Sequence, residues 1–297
     1  MPIKTAFDSL LDRFRFLLPA RYRVRPPIVP VVRLSGAIGA VSPFRPGLSI
    51  ASTATVLERA FAVKGAKAVA LVVNSPGGSA AQSHLIFKRI RSLSVEKNLP
   101  VLVFVEDAAA SGGYMIACAG DEIFVDPSSL MGSIGVVFAG FGFQELIQRY
   151  GVERRIYTAG ESKAMLDPFR PENPEDVAKI RRIQGRIHEI FIDLVRSRRA
   201  GRLNLETPDL FSGAVWSGTE AVELGLADGV GDIRTVLRER YGEKVRIAMM
   251  PQGRTSLLAR LLGRGAASPD IGGGGLVDPD ALIGAVEERL LWSRLGL

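Results

Sequence analysis

An apolar run that leads into small residues around a single serine occupies positions 101 to 115, which read Val101-Leu102-Val103-Phe104-Val105-Glu106-Asp107-Ala108-Ala109-Ala110-Ser111-Gly112-Gly113-Tyr114-Met115. The apolar run follows Pro100 and predicts a buried strand over 101–105. The residues after Ser111 predict a short helix. A serine between a strand and a helix presents its hydroxyl in the field of the helix N-terminus, which makes Ser111 a candidate nucleophile. On this tract alone, a plain small-residue packing turn is the alternative.

A second glycine-rich turn closes the preceding predicted strand. Residues 67–73 form a short apolar run that ends in Asn74-Ser75-Pro76-Gly77-Gly78. Loops at the carboxyl ends of parallel strands converge, so we expect this turn and Ser111 to share one crevice. Because glycine lets the backbone approach a substrate closely, the N–H groups of Gly78 and Gly112 are candidate oxyanion donors. A simple strand-to-helix reversal remains the alternative interpretation of the turn.

Short apolar strands alternate with helical segments through most of the chain. Strands are predicted at 28–34, 67–73, 101–105, 122–125, 134–138, 154–157 and 244–249, and helices at 52–63, 143–150, 174–199, 217–224 and 232–240. A further helix follows the 74–78 turn, with Ser79 as its candidate cap and with one apolar face formed by Leu85, Ile86, Ile90 and Leu93, and the short helix follows Ser111. This alternation predicts an α/β fold, with a mainly parallel sheet and flanking helices. The domain prediction has three parts: a basic amphipathic segment at 1–25, one α/β domain at 26–250, and a Gly-rich linker with a C-terminal amphipathic helix at 251–297.

Composition excludes several classes of protein. The chain has 297 residues, 47% of them hydrophobic, so it can bury a large core. The single Cys118 permits no intrachain disulfide, and one Cys with two His argues against a zinc site. The sequence has neither a phosphate-loop lysine motif nor a cluster of metal ligands, so no cofactor is expected.

The net charge of +7 is unevenly spread: residues 1–33 carry +5 and residues 179–202 carry +6. A basic patch can meet nucleic acid or anionic lipid. No nucleic-acid motif accompanies the charge, so nucleic acid is not an expected partner. Apolar residues at 5–19 recur at helical spacing and are followed by arginines up to Arg25. This segment predicts an amphipathic helix that lies on an anionic membrane surface or docks on protein, and both interpretations stay open. No apolar run reaches the ~18 residues of a spanning helix.

Lys163 is the candidate base. It lies in the turn-rich stretch Gly160-Glu161-Ser162-Lys163-Ala164-Met165-Leu166-Asp167-Pro168-Phe169-Arg170. A lysine that accepts a proton near neutral pH needs a pKa near 7 rather than the usual ~10.4, and burial among apolar neighbours lowers it in that direction. By itself, this stretch is more typical of a solvated loop lysine. His84 and His188 are interpreted as surface or packing residues.

Taken together, five motifs produce a resemblance. They are Asn-Ser-Pro-Gly-Gly at 74–78, Ala-Ser-Gly-Gly-Tyr at 110–114, Met-Gly-Ser-Ile-Gly-Val at 131–136, Gly-x-x-Lys at 160–163 followed by Asp-Pro-Phe-Arg, and Gly-x-x-Trp-x-Gly-x-x-Ala-x-x-Leu-Gly-Leu-x-Asp at 213–228. In this order, over residues 28 to 250, the chain resembles the bacterial signal peptide peptidase A (SppA) family of serine–lysine peptidases. That family belongs to the ClpP/crotonase superfamily.

The resemblance assigns roles to particular positions. Ser111 matches the family nucleophile and Lys163 its general base, while Ser133 matches a serine that helps hold the lysine amine. Gly78 and Gly112 match the amide donors. Val136 stands where ClpP has its histidine, so a ClpP-type triad is not expected.

Substrate and assembly are also implied by the resemblance. The family cleaves extended peptides, including cleaved signal peptides, and assembles as a ring-like homo-oligomer. The substrate would add as a strand beside the sheet. Gly77, Gly113 and Phe138 are possible substrate contacts, with core packing as the alternative for Phe138, Phe141 and Phe143.

Cellular placement and function follow as expectations. Many family members carry an N-terminal membrane span, which this sequence does not show. We therefore expect a bacterial protein that is cytoplasmic or peripheral on the inner-membrane surface, with the periplasm left open. The predicted function is a serine endopeptidase. Two rivals remain: a catalytically silent scaffold that binds membranes or peptides, and a crotonase-type acyl-CoA enzyme.

Overall fold

The part of the chain that the structure describes comprises residues 26–39, 47–160, 162–251, 286 and 289–297 of a computed structural model. The predicted N-terminal segment at 1–25, the Gly-rich linker and most of the C-terminal helix lie outside these residues. The domain prediction therefore stays a prediction.

Strands and helices alternate along the described residues. The strands are β1 (Ile28–Ser35), β2 (Val69–Ser75), β3 (Val101–Ala110), β4 (Glu122–Val125), β5 (Leu130–Gly132), β6 (Val215–Ser217), β7 (Gly229–Val230) and β8 (Arg246–Met249). The helices are α1 (Ile50–Phe61), α2 (Ala80–Lys97), α3 (Gly112–Ala117), α4 (Gln144–Arg149), α5 (Pro174–Arg198), α6 (Gly218–Glu223) and α7 (Ile233–Tyr241).

Within the described residues, the strands form one eight-stranded sheet. Its main path runs β6-β5-β3-β2-β1-β8, while β4 pairs with β3 and with β7. The β5–β6 pair is antiparallel and the other strand pairs are parallel. The predicted α/β class with a mainly parallel sheet and flanking helices is confirmed.

The sheet is buried on both faces. The residues of β2 are all buried, as expected for a central parallel strand rich in valine. Two hydrophobic clusters cover the sheet: a large one that includes apolar side chains of α1, α2 and α3, and a smaller one that includes Val236 and Leu237 of α7. The serine predicted to cap α2, Ser79, accepts a hydrogen bond from the Gln82 N–H.

Strand register brings the two glycine-rich turns together. Ser75 pairs with Ala109, so the Pro76-Gly77-Gly78 turn leaves the sheet beside Ser111. On the other side, Ala110 pairs with Gly132, which places Ser133 next to Ser111. The carboxyl ends of β2, β3 and β5 thus converge, as the spacing of the strands predicted.

Some local predictions are wrong. Residues 134–138 and 154–157 are not strands, and the strand in this region is the shorter β5. For 134–138 the physical reason is that β5 ends where Ser133 adopts a positive φ of 50°, which takes the chain out of the extended conformation. Residues 154–157 pair with no strand among the described residues. The predicted strand 101–105 continues to Ala110. Leu85, predicted on the buried face of α2, is exposed.

None of the helices in the described part of the chain is long and apolar enough to cross a membrane.

A buried ion pair ties the end of α5 to the segment before β7, and it carries the first prediction. Arg199 is 1% exposed and binds Asp228 through two hydrogen bonds of 2.7 and 3.1 Å. Arg199→Met should lower the free energy of unfolding by about 1–3 kcal/mol, because the Gly225 carbonyl loses its donor and Asp228 keeps Arg202 and the Ile123 N–H as partners but loses the buried guanidinium. The measurement is urea denaturation. Arg155→Met, in an exposed pair with Glu153, is the control and should change stability by less than ~0.5 kcal/mol. Equal effects of the two substitutions would contradict this prediction.

Candidate active site

Ser111 has a strained backbone. It stands between the last residue of β3 and the first residue of α3, with φ 50° and ψ −120°. This region is sparsely populated by residues other than glycine and costs of order 1–3 kcal/mol. The Ser111 N–H donates to the Gly132 carbonyl at 2.9 Å, and the Ser111 carbonyl accepts from the Met115 N–H at 3.0 Å. A strained strand–turn–helix junction of this kind directs a serine hydroxyl out of the sheet edge.

Two backbone donors lie beside this serine. Gly78 forms a parallel bridge with Ile38, in which the Ile38 N–H donates to the Gly77 carbonyl and the Ser79 N–H donates to the Ile38 carbonyl, each at 2.8 Å. The Gly78 N–H therefore points away from Ile38. The Gly112 N–H begins α3 and lacks an intrahelical acceptor. Within the described part of the chain, neither N–H has a hydrogen-bond partner. Such a pair is able to bind an oxyanion.

Close packing under Ser111 explains the glycines at 77 and 113. A Cβ on Gly77, whose φ is 102°, would lie 2.8 Å from the Ser111 Cβ and 2.9 Å from the Gly112 nitrogen. A Cβ on Gly113 would lie 2.6 Å from the Ser75 carbonyl oxygen. Both glycines let the β2 and β3 turns touch. Neither lines the cavity described next.

A cavity of about 590 Å³ collects most of the predicted site residues. Ser111, Gly78, Gly112 and Ser133 line it together. Its apolar wall comes from the α3, 135–139 and α5 regions: Met115, Val136, Val137, Ile187 and Phe191. A hydroxyl, two backbone donors and an apolar wall in one cleft are suited to acyl transfer on a peptide with apolar side chains.

Ser133, like Ser111, has a positive φ. Its φ is also 50°, its N–H donates to the Ala214 carbonyl at 2.7 Å, and its carbonyl accepts from the Gly135 N–H at 2.9 Å. Two non-glycine residues with positive φ thus line the same cavity. Backbone strain of this kind gathers at functional sites. The sequence carries no signal for it, because serine gives no indication of φ.

Lys163 lies elsewhere in the single chain. It is exposed in a turn, its N–H donates to the Gly160 carbonyl at 3.2 Å, and it does not line the Ser111 cavity. This differs from the desolvated amine that the sequence led us to expect. Lys163 lies away from the cavity because the segment that follows it packs against Phe143. The Phe143 N–H donates to the Pro168 carbonyl at 2.6 Å, and the Phe143 and Phe169 rings lie 5.6 Å apart.

The region around Phe138 and Phe141 is an exposed apolar surface. Phe141 is 79% exposed, and Phe138 and Phe143 are exposed as well, so core packing is wrong for these three. Phe138 lines a neighbouring cavity of about 650 Å³, whose wall includes Phe141, Leu166 and Ile180. Apolar surface of this extent is typical of a protein interaction site.

Other reactive side chains of the region are not placed for catalysis. Burial raises the pKa of the Cys118 thiol to about 12, so this cysteine stays neutral and inert. His84 stacks on Phe87, and its burial lowers its pKa. His188, interpreted from the sequence as a surface or packing residue, packs against the backbone of the Ser133 loop, with 2.9 Å between its Nε2 and the Ile134 carbonyl oxygen.

The C-terminal segment 289–297 also borders the cavity, which the sequence did not indicate. Leu291, Arg294 and Leu295 line it together with Ser111.

Deleting residues 286–297 should therefore raise kcat/KM for a peptide roughly tenfold, because about 1.4 kcal/mol of competing apolar contact is removed. Steady-state turnover measures this effect. The double substitution of Leu291 and Leu295 by serine should reproduce it, and Leu297→Ser, at an exposed residue outside the cavity, should not. Unchanged or lower turnover of the deletion variant would contradict competition.

Known proteins share this chain's sequence over long stretches. The chain is 52% identical over 305 residues to a Brucella abortus protein named Na(+)/H(+) antiporter NhaA, an alignment that covers 99% of the chain and 40% of that protein. It is 32% identical over 193 residues to a putative signal peptide peptidase SppA of Enterococcus faecium, covering 64% of the chain and 55% of the relative. It is 33% identical over 183 residues to a putative protease of Methanocaldococcus jannaschii, covering 62% and 57%. The chain thus spans less than two thirds of each of these relatives.

A family match covers the part of the chain that contains the candidate site. Residues 94–245, about half of the chain, match peptidase family S49. This range includes Ser111, Gly112, Ser133 and Lys163. The resemblance inferred from the motifs is confirmed at the level of the family. The chain belongs to peptidase family S49.

Proposed function

We propose that the chain is a serine endopeptidase that hydrolyses extended peptides through an acyl-enzyme on Ser111, with Lys163 as general base. The observation that carries the proposal is the cavity in which the strained Ser111 meets Ser133 and the glycines at 78 and 112. Membership of peptidase family S49 agrees with it.

Acylation would use each group in a defined role. The Ser111 Oγ attacks the peptide carbonyl carbon while its proton passes to the neutral Lys163 amine. The N–H groups of Gly78 and Gly112 hold the oxyanion of the tetrahedral intermediate, each typically lowering the barrier by ~2.7–4 kcal/mol. The protonated lysine then gives its proton to the leaving amine, and the C–N bond breaks.

Deacylation reverses the same steps with water as the nucleophile. The lysine amine takes a proton from water as the oxygen of that water adds to the ester carbon. The C–O bond to Ser111 then breaks while the protonated lysine returns its proton to the Ser111 Oγ. Ser133 has the role of accepting or donating a hydrogen bond that orients the lysine amine throughout. Its place in the Ser111 cavity supports this role.

Assembly is part of the proposal, since Lys163 is exposed in the single chain. We infer that copies of the chain pack through the apolar surface around Phe138 and Phe141, and that Lys163 of one copy completes the Ser111 cavity of its neighbour. The exposure of Lys163, the exposed phenylalanines and the apolar wall of the cavity support this arrangement. Packing there would remove Lys163 from water, which favours its neutral form.

The test is cleavage of an unstructured, leucine-rich peptide by the full chain, with and without a fluorophosphonate. Cleavage that stops in step with covalent labelling supports the proposal. A chain that is folded and oligomeric but neither cleaves the peptide nor reacts with the probe would contradict it. Thiol reagents should leave cleavage unchanged, because Cys118 is buried and neutral.

A further inference from the structure

The loop that carries Ser133 is held from the side by α5. After β5 ends at Gly132, residues 133–135 turn tightly, with the Gly135 N–H donating to the Ser133 carbonyl. The Ile134 side chain is buried, and its carbonyl oxygen lies 2.9 Å from the His188 Nε2. A carbonyl only accepts, so Nε2 carries the hydrogen and donates it. Among the described residues, no other side chain hydrogen-bonds the backbone of this loop.

The part of α5 that carries His188 borders the Ser111 cavity. Ile187, next to the histidine, and Phe191, one turn further, line that cavity, and Phe191 is buried in the core. The helix that holds the histidine is therefore fixed against the site. This geometry connects a rigid element of 25 residues to the loop that presents Ser133.

The hydrogen bond from His188 matters because the backbone of Ser133 is strained. Ser133 has φ 50°, a conformation that persists in a non-glycine residue only when its surroundings enforce it. On one side, the Ser133 N–H is bound by the Ala214 carbonyl. On the other side, the His188 hydrogen bond fixes the peptide that follows Ser133. Loss of this bond would leave a buried carbonyl without its donor and let the loop relax.

We propose that His188 is a positioning residue of the active site, which holds Ser133 in its strained backbone conformation by donating a hydrogen bond to the Ile134 carbonyl. It acts through Ser133 and does not touch the substrate. The part of this inference that concerns catalysis rests on the proposed serine–lysine mechanism, because Ser133 there orients the lysine amine.

The experiment compares three substitutions of His188 in the full chain. Glutamine places an N–H at the position of the histidine Nε2, whereas asparagine is one atom too short and leucine has no donor. We expect His188→Gln to keep kcat within about threefold of wild type. His188→Asn and His188→Leu should lower kcat roughly tenfold or more, with KM nearly unchanged, since the substrate cavity keeps its wall. His84→Leu is the matched control and should leave turnover unchanged.

Amide hydrogen exchange of residues 131–137 measures how well the backbone of this loop is protected, and this measurement does not depend on catalysis. The amides of this segment should exchange roughly tenfold faster in His188→Leu than in wild type, and His188→Gln should restore their protection. Equal protection in wild type and His188→Leu, or equal loss of turnover in all three variants, would overturn the inference. If wild type cleaves no peptide while the exchange pattern holds, the peptidase proposal fails and the anchoring of the loop stands.

Discussion

Replacing Ser111 with alanine should abolish peptide turnover, lowering kcat by at least about 10⁴-fold. The hydroxyl is the group that forms the acyl-enzyme, and the backbone donors at Gly78 and Gly112 cannot replace it. Turnover of an unstructured peptide measures the effect. Ser128→Ala, at an exposed serine outside the cavity, is the control and should keep wild-type activity. A Ser111→Ala variant with more than a tenth of the wild-type activity would exclude this nucleophile.

The backbone strain at Ser111 can be tested by protein stability, independently of activity. Ser111→Gly should be as inactive as Ser111→Ala, yet more stable than it by about 1 kcal/mol, because glycine adopts φ 50° and ψ −120° without the Cβ strain. Urea denaturation of the two variants compares them directly. An alanine variant at least as stable as the glycine variant would show that position 111 stores no backbone strain.

Replacing Lys163 should have the second largest effect. Lys163→Ala is expected to lower kcat by about 10²–10⁴-fold, which is the contribution of a general base. Lys163→Arg should be equally inactive, since a guanidinium keeps its proton and cannot serve as a base. Lys97→Ala, at another exposed lysine, is the control. Activity retained by Lys163→Arg would show that position 163 supplies charge and not a base.

A mixing experiment tests where the lysine comes from. Ser111→Ala and Lys163→Ala chains, inactive alone, should regain about a quarter of wild-type turnover when unfolded and refolded together, as random pairing in a symmetric assembly gives. A mixture that forms hetero-oligomers and stays inactive would place the two groups in one chain and overturn the shared site.

The sequence predicted the sheet well because its signals are local. Apolar runs of five to seven residues located β2, whose run is followed by the 74–78 turn, and β3, whose run follows Pro100. A serine before an amphipathic run located the cap of α2. The glycines at 77 and 78 also indicated a close backbone approach in the sequence, and in the structure a Cβ at either position would clash with a neighbouring segment. These features depend on residue type alone.

Other features depend on contacts between distant residues, and the sequence could not give them. The strand expected at 134–138 is absent because the backbone of Ser133 leaves the extended conformation, and a serine in the sequence does not indicate a positive φ. The sequence of the charged helix α5 left His188 as either a surface or a packing residue, and the contact with Ile134 depends on how this helix packs in the fold. The surroundings of Lys163 depend on how the chain packs with its copies, which a single sequence does not state.

Mass mapping of the residue that a fluorophosphonate acylates, on wild type and on Lys163→Ala, tests the chemistry most directly. We expect one adduct, on Ser111, which forms in wild type and forms at least about a hundredfold more slowly in the lysine variant. An adduct on another serine, or labelling of Ser111 at the same rate in both proteins, would contradict it.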